Sequence, residues 1–138
     1  MSHWTQEQLM QCLVESFGAA NVAALQDAEH AYQVVLPESG DLEVTLVAGE
    51  EQIYCSTPLV TAVNVRDRAA FNDACMRLNP INPLSNLGLS VIDEQDVYVV
   101  FGELSGDSTQ AQIIHEIRML AVNALDAIET LQPYLVNE

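Results

Sequence analysis

The sequence predicts an α+β domain over residues 1–138, an antiparallel sheet packed against helices in the order α-β-β-β-α-β-β-α. Three observations carry this. Apolar residues recur at helical spacing in a segment near each end and in one near the middle. Between those segments lie short alternating or continuous apolar runs, bounded by turn compositions, which mark strands. The links between consecutive strands are short, which favours an antiparallel meander over parallel pairs with their long crossovers. A chain of 138 residues that is 49% hydrophobic has the size of one domain and enough apolar surface for a core. No internal repeat, low-complexity tract or linker divides it.

The first helix is expected over 5–17, "TQEQLMQCLVESF". Thr5 is a good N-cap, and Gln8 three residues on completes a capping box. Trp4 can pack on Leu9 as a hydrophobic staple, and Leu9, Cys12, Leu13 and Phe17 form the buried stripe. Gly18 is a natural stop. Three strands follow at 31–36, 42–47 and 52–60, separated by "PESGD" and "GEE". In the second of them Leu42, Val44 and Leu46 alternate with Glu43 and Thr45. Pro58 has no N–H for a ladder and suits a strand end or an edge. A second helix is expected over 67–78, lined by Phe71, Ala74, Cys75 and Leu78, with Asp73 and Arg77 positioned to pair on its outer side. The prolines and asparagines of "NPINPLSN" (79–86) interrupt regular structure. Strands at 87–92 and 97–104, joined by "DEQD", carry apolar residues on both faces: Val97, Val99 and Phe101 on one, Tyr98, Val100 and Leu104 on the other. Such strands are usually central or covered on both sides. A long helix over 108–135 closes the chain, capped by Ser108 or Thr109 and ended near Pro133.

The charge balance restricts partners. The chain has 20 acidic residues, four arginines (Arg66, Arg68, Arg77, Arg118), no lysine and a net charge of −16. Such a surface repels phosphate, so DNA, RNA and anionic membranes are poor partners. No apolar run approaches the ~20 residues that span a bilayer, so membrane insertion is not expected. The opening "MSHWTQEQLM" has neither the basic segment nor the apolar core of a secretory signal, and the expected compartment is the cytoplasm. Cys12, Cys55 and Cys75 are widely spaced, without a CxxC pair, and each falls on a core-facing position. They are expected to act as small buried hydrophobes.

The closest approach to known chemistry is "HEIRM" at 115–119. A zincin helix carries two imidazoles one turn apart so that both reach one metal, but Met119 stands where the second is needed. His3, in an unstructured start, and His30, at a strand entry, supply no third ligand at a recognised spacing. The helix explains itself otherwise: Ile113, Ile117, Leu120, Ala121, Ala124, Ile128 and Leu131 form a buried stripe, and His115 and Glu116 are expected to be solvated. There is no G-x-G-x-x-G, Walker or G-x-S-x-G sequence, and so no cofactor is implied. The carboxylates of "DEQD" and "GEE" have the polarity of ordinary turns and lack calcium-loop spacing, so no metal site is expected. "RDR" (66–68) is expected to pair locally with acidic neighbours.

Apolar residues beyond the core stripe point instead to contact with another chain. Met119 and Val122 lie on the outer face of the last helix, and the strands at 87–104 need cover on both faces. The expected contact residues are Pro80, Ile81, Pro83, Leu84, Tyr98, Val100, Met119 and Val122.

The order of elements, the length and the acidity resemble the type III secretion chaperone-like fold, which also includes YbjN-type bacterial proteins. The resemblance covers nearly the whole chain and rests on element order and on "LSVIDEQDVYVVFGEL" followed by a long amphipathic helix. The stretch "NPLSNLGLSV" resembles the corresponding segment of the YjfI-like family, bacterial proteins without an assigned activity. The resemblance implies a homodimer that holds an extended segment of a partner polypeptide, as secretion chaperones do. YbjN-type members share the shape without being shown to be such chaperones. The expected function is therefore a non-enzymatic interaction module. Against it stand a small-ligand binder or enzyme assembled from scattered residues such as His115, Glu116 and Cys55, and, more weakly, an accessory factor in envelope stress.

Overall fold

The computed structural model describes residues 4–26 and 28–136. Helix α1 spans Gln6–Phe17 and opens with the expected capping box: Thr5 Oγ1 accepts from the Gln8 amide, and Gln8 Oε1 accepts from the Thr5 amide. Strands β1 (Val22–Ala24), β2 (Ala31–Leu36), β3 (Leu42–Ala48) and β4 (Gln52–Thr61) follow. Helix α2 (Arg68–Leu78) starts on Asp67, whose carboxylate accepts from the Ala70 amide. Strands β5 (Asn86–Ile92) and β6 (Gln95–Ser105) then lead into α3 (Gln110–Leu131), where Thr109 is the cap and Gln112 closes a second capping box.

The strands form one six-stranded sheet in the order β1-β2-β3-β4-β6-β5, with every neighbouring pair antiparallel. Strand β1 departs from the sequence expectation. Three residues carry too little alternation to be read alone, and they become a strand because Val22 falls opposite Val34 of β2. The "NPINPLSN" segment also holds one 3₁₀ turn, Asn79–Ile81.

All three helices contribute to one core on one face of the sheet. Leu9 and Leu13 of α1, Phe71 of α2, and Ile113, Ile117 and Leu120 of α3 meet Val34, Val44, Ile53, Cys55, Tyr98 and Val100 from the strands. Arg118 reaches back across α1, its guanidinium 5.4 Å from the centre of the Phe17 ring. Among the described residues, no helix packs on the opposite face of the sheet. There Tyr54 and Phe101 stack at 5.7 Å, and Val97 and Val99 are nevertheless buried, with Pro58 and Gly88 flanking Val99 in register.

This arrangement corrects part of the contact set read from the sequence. Tyr98 and Val100 face the helices and are buried within the chain. The Tyr98 hydroxyl donates to Asn72 Oδ1, and its ring meets Phe71 edge-on at 4.5 Å. Alternation placed these two residues opposite Val97 and Val99, but could not say which face the helices would take.

The β5–β6 hairpin turns on Asp93 and Glu94, both with positive φ (51° and 65°). Two consecutive left-handed residues are the signature of a type I′ turn, which favours Asn-Gly and strains longer side chains. Glu94→Gly should therefore raise the unfolding free energy by about 0.5–1 kcal/mol, the relieved strain exceeding the flexibility that glycine adds. Urea denaturation of the two proteins measures it, and a destabilised variant would contradict the turn assignment.

Candidate interaction surface

The segment from Asn79 to Ile92 carries no charged residue in a chain of net charge −16. Its backbone is held from two sides. The Asn79 side chain accepts from the Leu87 amide at 2.6 Å and donates to the Leu87 carbonyl at 3.3 Å. From α3, Asn123 Nδ2 donates to the Pro83 carbonyl at 2.6 Å and to Ser85 Oγ at 3.0 Å. Two asparagine side chains, together with the prolines, thus order a stretch with little regular structure of its own.

Held this way, the segment turns apolar side chains outward. Ile81 is 74% exposed and Leu84 55%, while on β5 Leu89, Val91 (72%) and Ile92 are exposed as well. Met76 of α2 is exposed beside them in sequence. Strand β5 is the last strand of its sheet, so among the described residues its outer edge has no neighbouring strand. The other edge is blunted: β1 has only three residues, and α1 packs against it. Of the contact residues read from the sequence, Pro80, Ile81, Pro83, Leu84 and Val122 are exposed, and Met119 is half-buried. Leu89, Val91 and Ile92 lie in the 87–104 strands that the sequence marks as needing cover but are not singled out by it, because a sheet order that places β6 inside β5 is not visible in local pattern; Met76 is not singled out either.

Behind this surface the structure overturns the reading of Glu116 as a solvated charge. Glu116 is 3% exposed, and its Oε2 has no hydrogen-bond partner. It fits because β6 presents Gly102 beneath it: a Cβ there would stand 1.9 Å from Glu116 Oε2. Burial pushes the Glu116 carboxyl above its usual range, and His115 beside it pulls the other way. Cys55, paired with Gly102 across the strands, is fully buried, and burial plus the neighbouring Glu116 push its thiol up to about 12. Of the scattered trio considered as a site, Glu116 and Cys55 come together in the interior while His115 faces solvent. A thiol so raised stays protonated at neutral pH and is a poor nucleophile. Burial likewise raises Cys12 and Cys75 to about 11, and all three cysteines are free and buried, as their spacing predicts.

The arginines of "RDR" serve structure: Arg68 pairs with Asp96 at 3.3 Å, and Arg66 donates to the Pro133 carbonyl. Asp73 and Arg77 form the expected pair at 2.8 Å. Among the described residues, no three His, Cys, Asp or Glu side chains gather at metal-binding range. His3 lies outside the described residues. A cleft of about 520 Å³ opens between α1 and the β1–β2 region, lined by Met10, Val14, Leu25 and Tyr32, with His30 on its wall. No helix among the described residues is long and apolar enough to cross a membrane.

Comparison with known proteins agrees with this architecture. The model of a family described as "Uncharacterized protein conserved in bacteria (DUF2170)" matches residues 3–135. The chain is 30% identical over 108 residues to the uncharacterized protein YjfI of Escherichia coli strain K12, covering 78% of this chain and 81% of that one. Among solved structures it is similar to YbjN from E. coli, with a TM-score of 0.66 at 16% identity over 98% of this chain and 97% of the other. It is also similar to a chain of the HopA1–SchA chaperone–effector complex (TM-score 0.61, 12% identity, 87% and 90% covered) and to one of the ExsC–ExsE complex (0.58, 17%, 99% and 98%). At these identities the structural likenesses establish the fold, which is secretion chaperone-like.

Proposed function

The chain belongs to the DUF2170 family, and from that premise we propose that it is a non-enzymatic, cytoplasmic interaction module that forms a homodimer and binds a partner polypeptide. The observation that carries the reading is the free edge of β5, apolar and charge-free, continuous in sequence with exposed Ile81 and Leu84. An open edge of this kind is a template for another chain unless it is covered. The charge of −16 supports a dimer at this place rather than elsewhere. Two like-charged chains approach at least cost where neither carries charge. Antiparallel pairing about Leu89 would also set the Asp93–Glu94 turn of each copy opposite the uncharged 84–86 segment of the other. The likeness to a chain of a chaperone–effector complex supports a polypeptide as the further partner. The acidity favours a basic one.

Sedimentation equilibrium across a range of salt tests the dimer. Association should tighten as salt screens the repulsion. The double variant Leu89→Lys, Val91→Lys should weaken it about 100-fold or more, as desolvated apolar contacts become buried charges. Both side chains are solvent-exposed in the single chain, so the fold should survive, which circular dichroism checks. A wild-type protein that stays monomeric at every concentration and salt level would defeat the proposal. The apolar cleft beside α1 is the observation that favours the second reading, a small-ligand-binding protein.

A further inference from the structure

Helix α3 presents two polar side chains, seven residues apart and both buried, toward the same stretch of chain: Asn123, and Glu116 two turns before it. Asn123 is satisfied, donating to the Pro83 carbonyl and to Ser85 Oγ. Glu116 Oε2 has no partner. What it faces is visible from Gly102. The position a Cβ would occupy there lies 1.9 Å from Glu116 Oε2 and 3.0 Å from the Leu84 carbonyl oxygen, so both oxygens converge on the small space above that glycine. Leu84 holds a left-handed backbone, φ 67°, which is unfavourable for a non-glycine residue and persists only where the surroundings enforce it. Two oxygens turned to one buried space repel unless a proton lies between them, and a neutral carboxyl supplies one.

We propose that Glu116 is a proton-dependent latch on the 82–85 segment. With its proton, the carboxyl donates to the Leu84 carbonyl oxygen and holds the strained turn. Without it, a carboxylate faces that carbonyl in the interior, and the segment loosens while Asn123 still tethers its neighbours.

The surroundings leave this proton largely to the local geometry. From β4, Cys55 faces Glu116, and it stays a neutral thiol. On α3 itself, His115 is the neighbour that pulls the Glu116 carboxyl down. β6 contributes glycine at the contact, and the 79–86 segment contains no titratable residue. Among the described residues, burial and His115 are the influences that act on the Glu116 carboxyl. Burial raises the carboxyl, so the sign is fixed. The latch is fully closed below the ordinary carboxylate value of 4.5, and its contribution is lost as pH rises through the higher value the group has in the folded chain.

Amide hydrogen exchange of the full chain, read by mass spectrometry and corrected for the intrinsic effect of pH, tests it. Protection of 82–86 in the wild type should fall as pH rises, by about tenfold for each unit by which burial has raised the group. Glu116→Gln keeps the shape, cannot ionise and can donate an amide N–H to Leu84, so its protection should stay high and flat. His115→Gln, a substitution at an exposed position, removes the neighbour that pulls the carboxyl down, so the wild-type fall should move to higher pH; this arm holds even if the glutamine variant folds poorly. A flat wild-type profile, or the same profile in wild type and Glu116→Gln, would overturn the latch.

Discussion

Phe71→Ala should lower the unfolding free energy by about 4 kcal/mol. Phe71 is fully buried at the junction of three elements. Its ring meets Tyr98 of β6 edge-on at 4.5 Å and Tyr134, beyond α3, at 6.0 Å. Emptying such a site removes the transfer free energy of the ring, leaves a cavity that α2 and the sheet cannot both close, and breaks two aromatic contacts worth about 0.5–1.5 kcal/mol each. The loss should extend to the end of the chain, where Tyr134 also accepts from the Arg66 amide at 3.0 Å and Leu135 bridges to Val65. Domains of this size are stable by about 5–15 kcal/mol, so the variant should survive only near the margin. Urea denaturation gives the value, with Val63→Ala, at a position 77% exposed, as a control that should change stability by less than about 0.5 kcal/mol. A cost below about 1 kcal/mol for Phe71→Ala would mean that α2 is not packed on the sheet as described.

The same residues show where sequence is legible and where it stops. Thr5 with Gln8 and Asp73 with Arg77 are local devices, and each forms as the spacing foretells. Between strands, alternation separates the two faces of β3 correctly, because each step of the chain reverses the side chain. What alternation cannot supply is the partner of each face. Tyr98 and Val99 are equally apolar neighbours; one joins the core under the helices and the other lies on the bare side, a difference made by where α2 and α3 land. The edge position of β5 is hidden for the same reason, since it depends on β6 pairing with β4, whose partners lie 36 to 53 residues upstream. Glu116 is the extreme case. A glutamate on a helix reads as solvated, and the features that seat it, Gly102 and the carbonyl of Leu84, are distant in sequence. A glycine inside an apolar strand was the one available hint, because such a residue often marks the close approach of another group.

That glycine leads to the second large effect. Gly102→Ala should destabilise the protein by about 3 kcal/mol, although alanine adds a single methyl group. The methyl carbon would stand 1.9 Å from Glu116 Oε2 and 3.0 Å from the Leu84 carbonyl oxygen, distances at which something must move. The Glu116 side chain would ordinarily swing aside, but it is 3% exposed and enclosed by Cys55 and the 82–85 segment, so its displacement carries a carboxyl through packed interior. The Leu84 carbonyl is backbone, and moving it shifts a segment that Asn123 holds at Pro83 and Ser85. If the clash with Glu116 dominates, removing the carboxyl should relieve it. Glu116→Ala empties the space that the new methyl enters, so the double variant should be more stable than the sum of the two single losses allows, by about 1 kcal/mol or more. Denaturation of all four proteins completes the cycle. Strictly additive losses would show that the carboxyl steps aside freely, and that Gly102 is not what holds it in place.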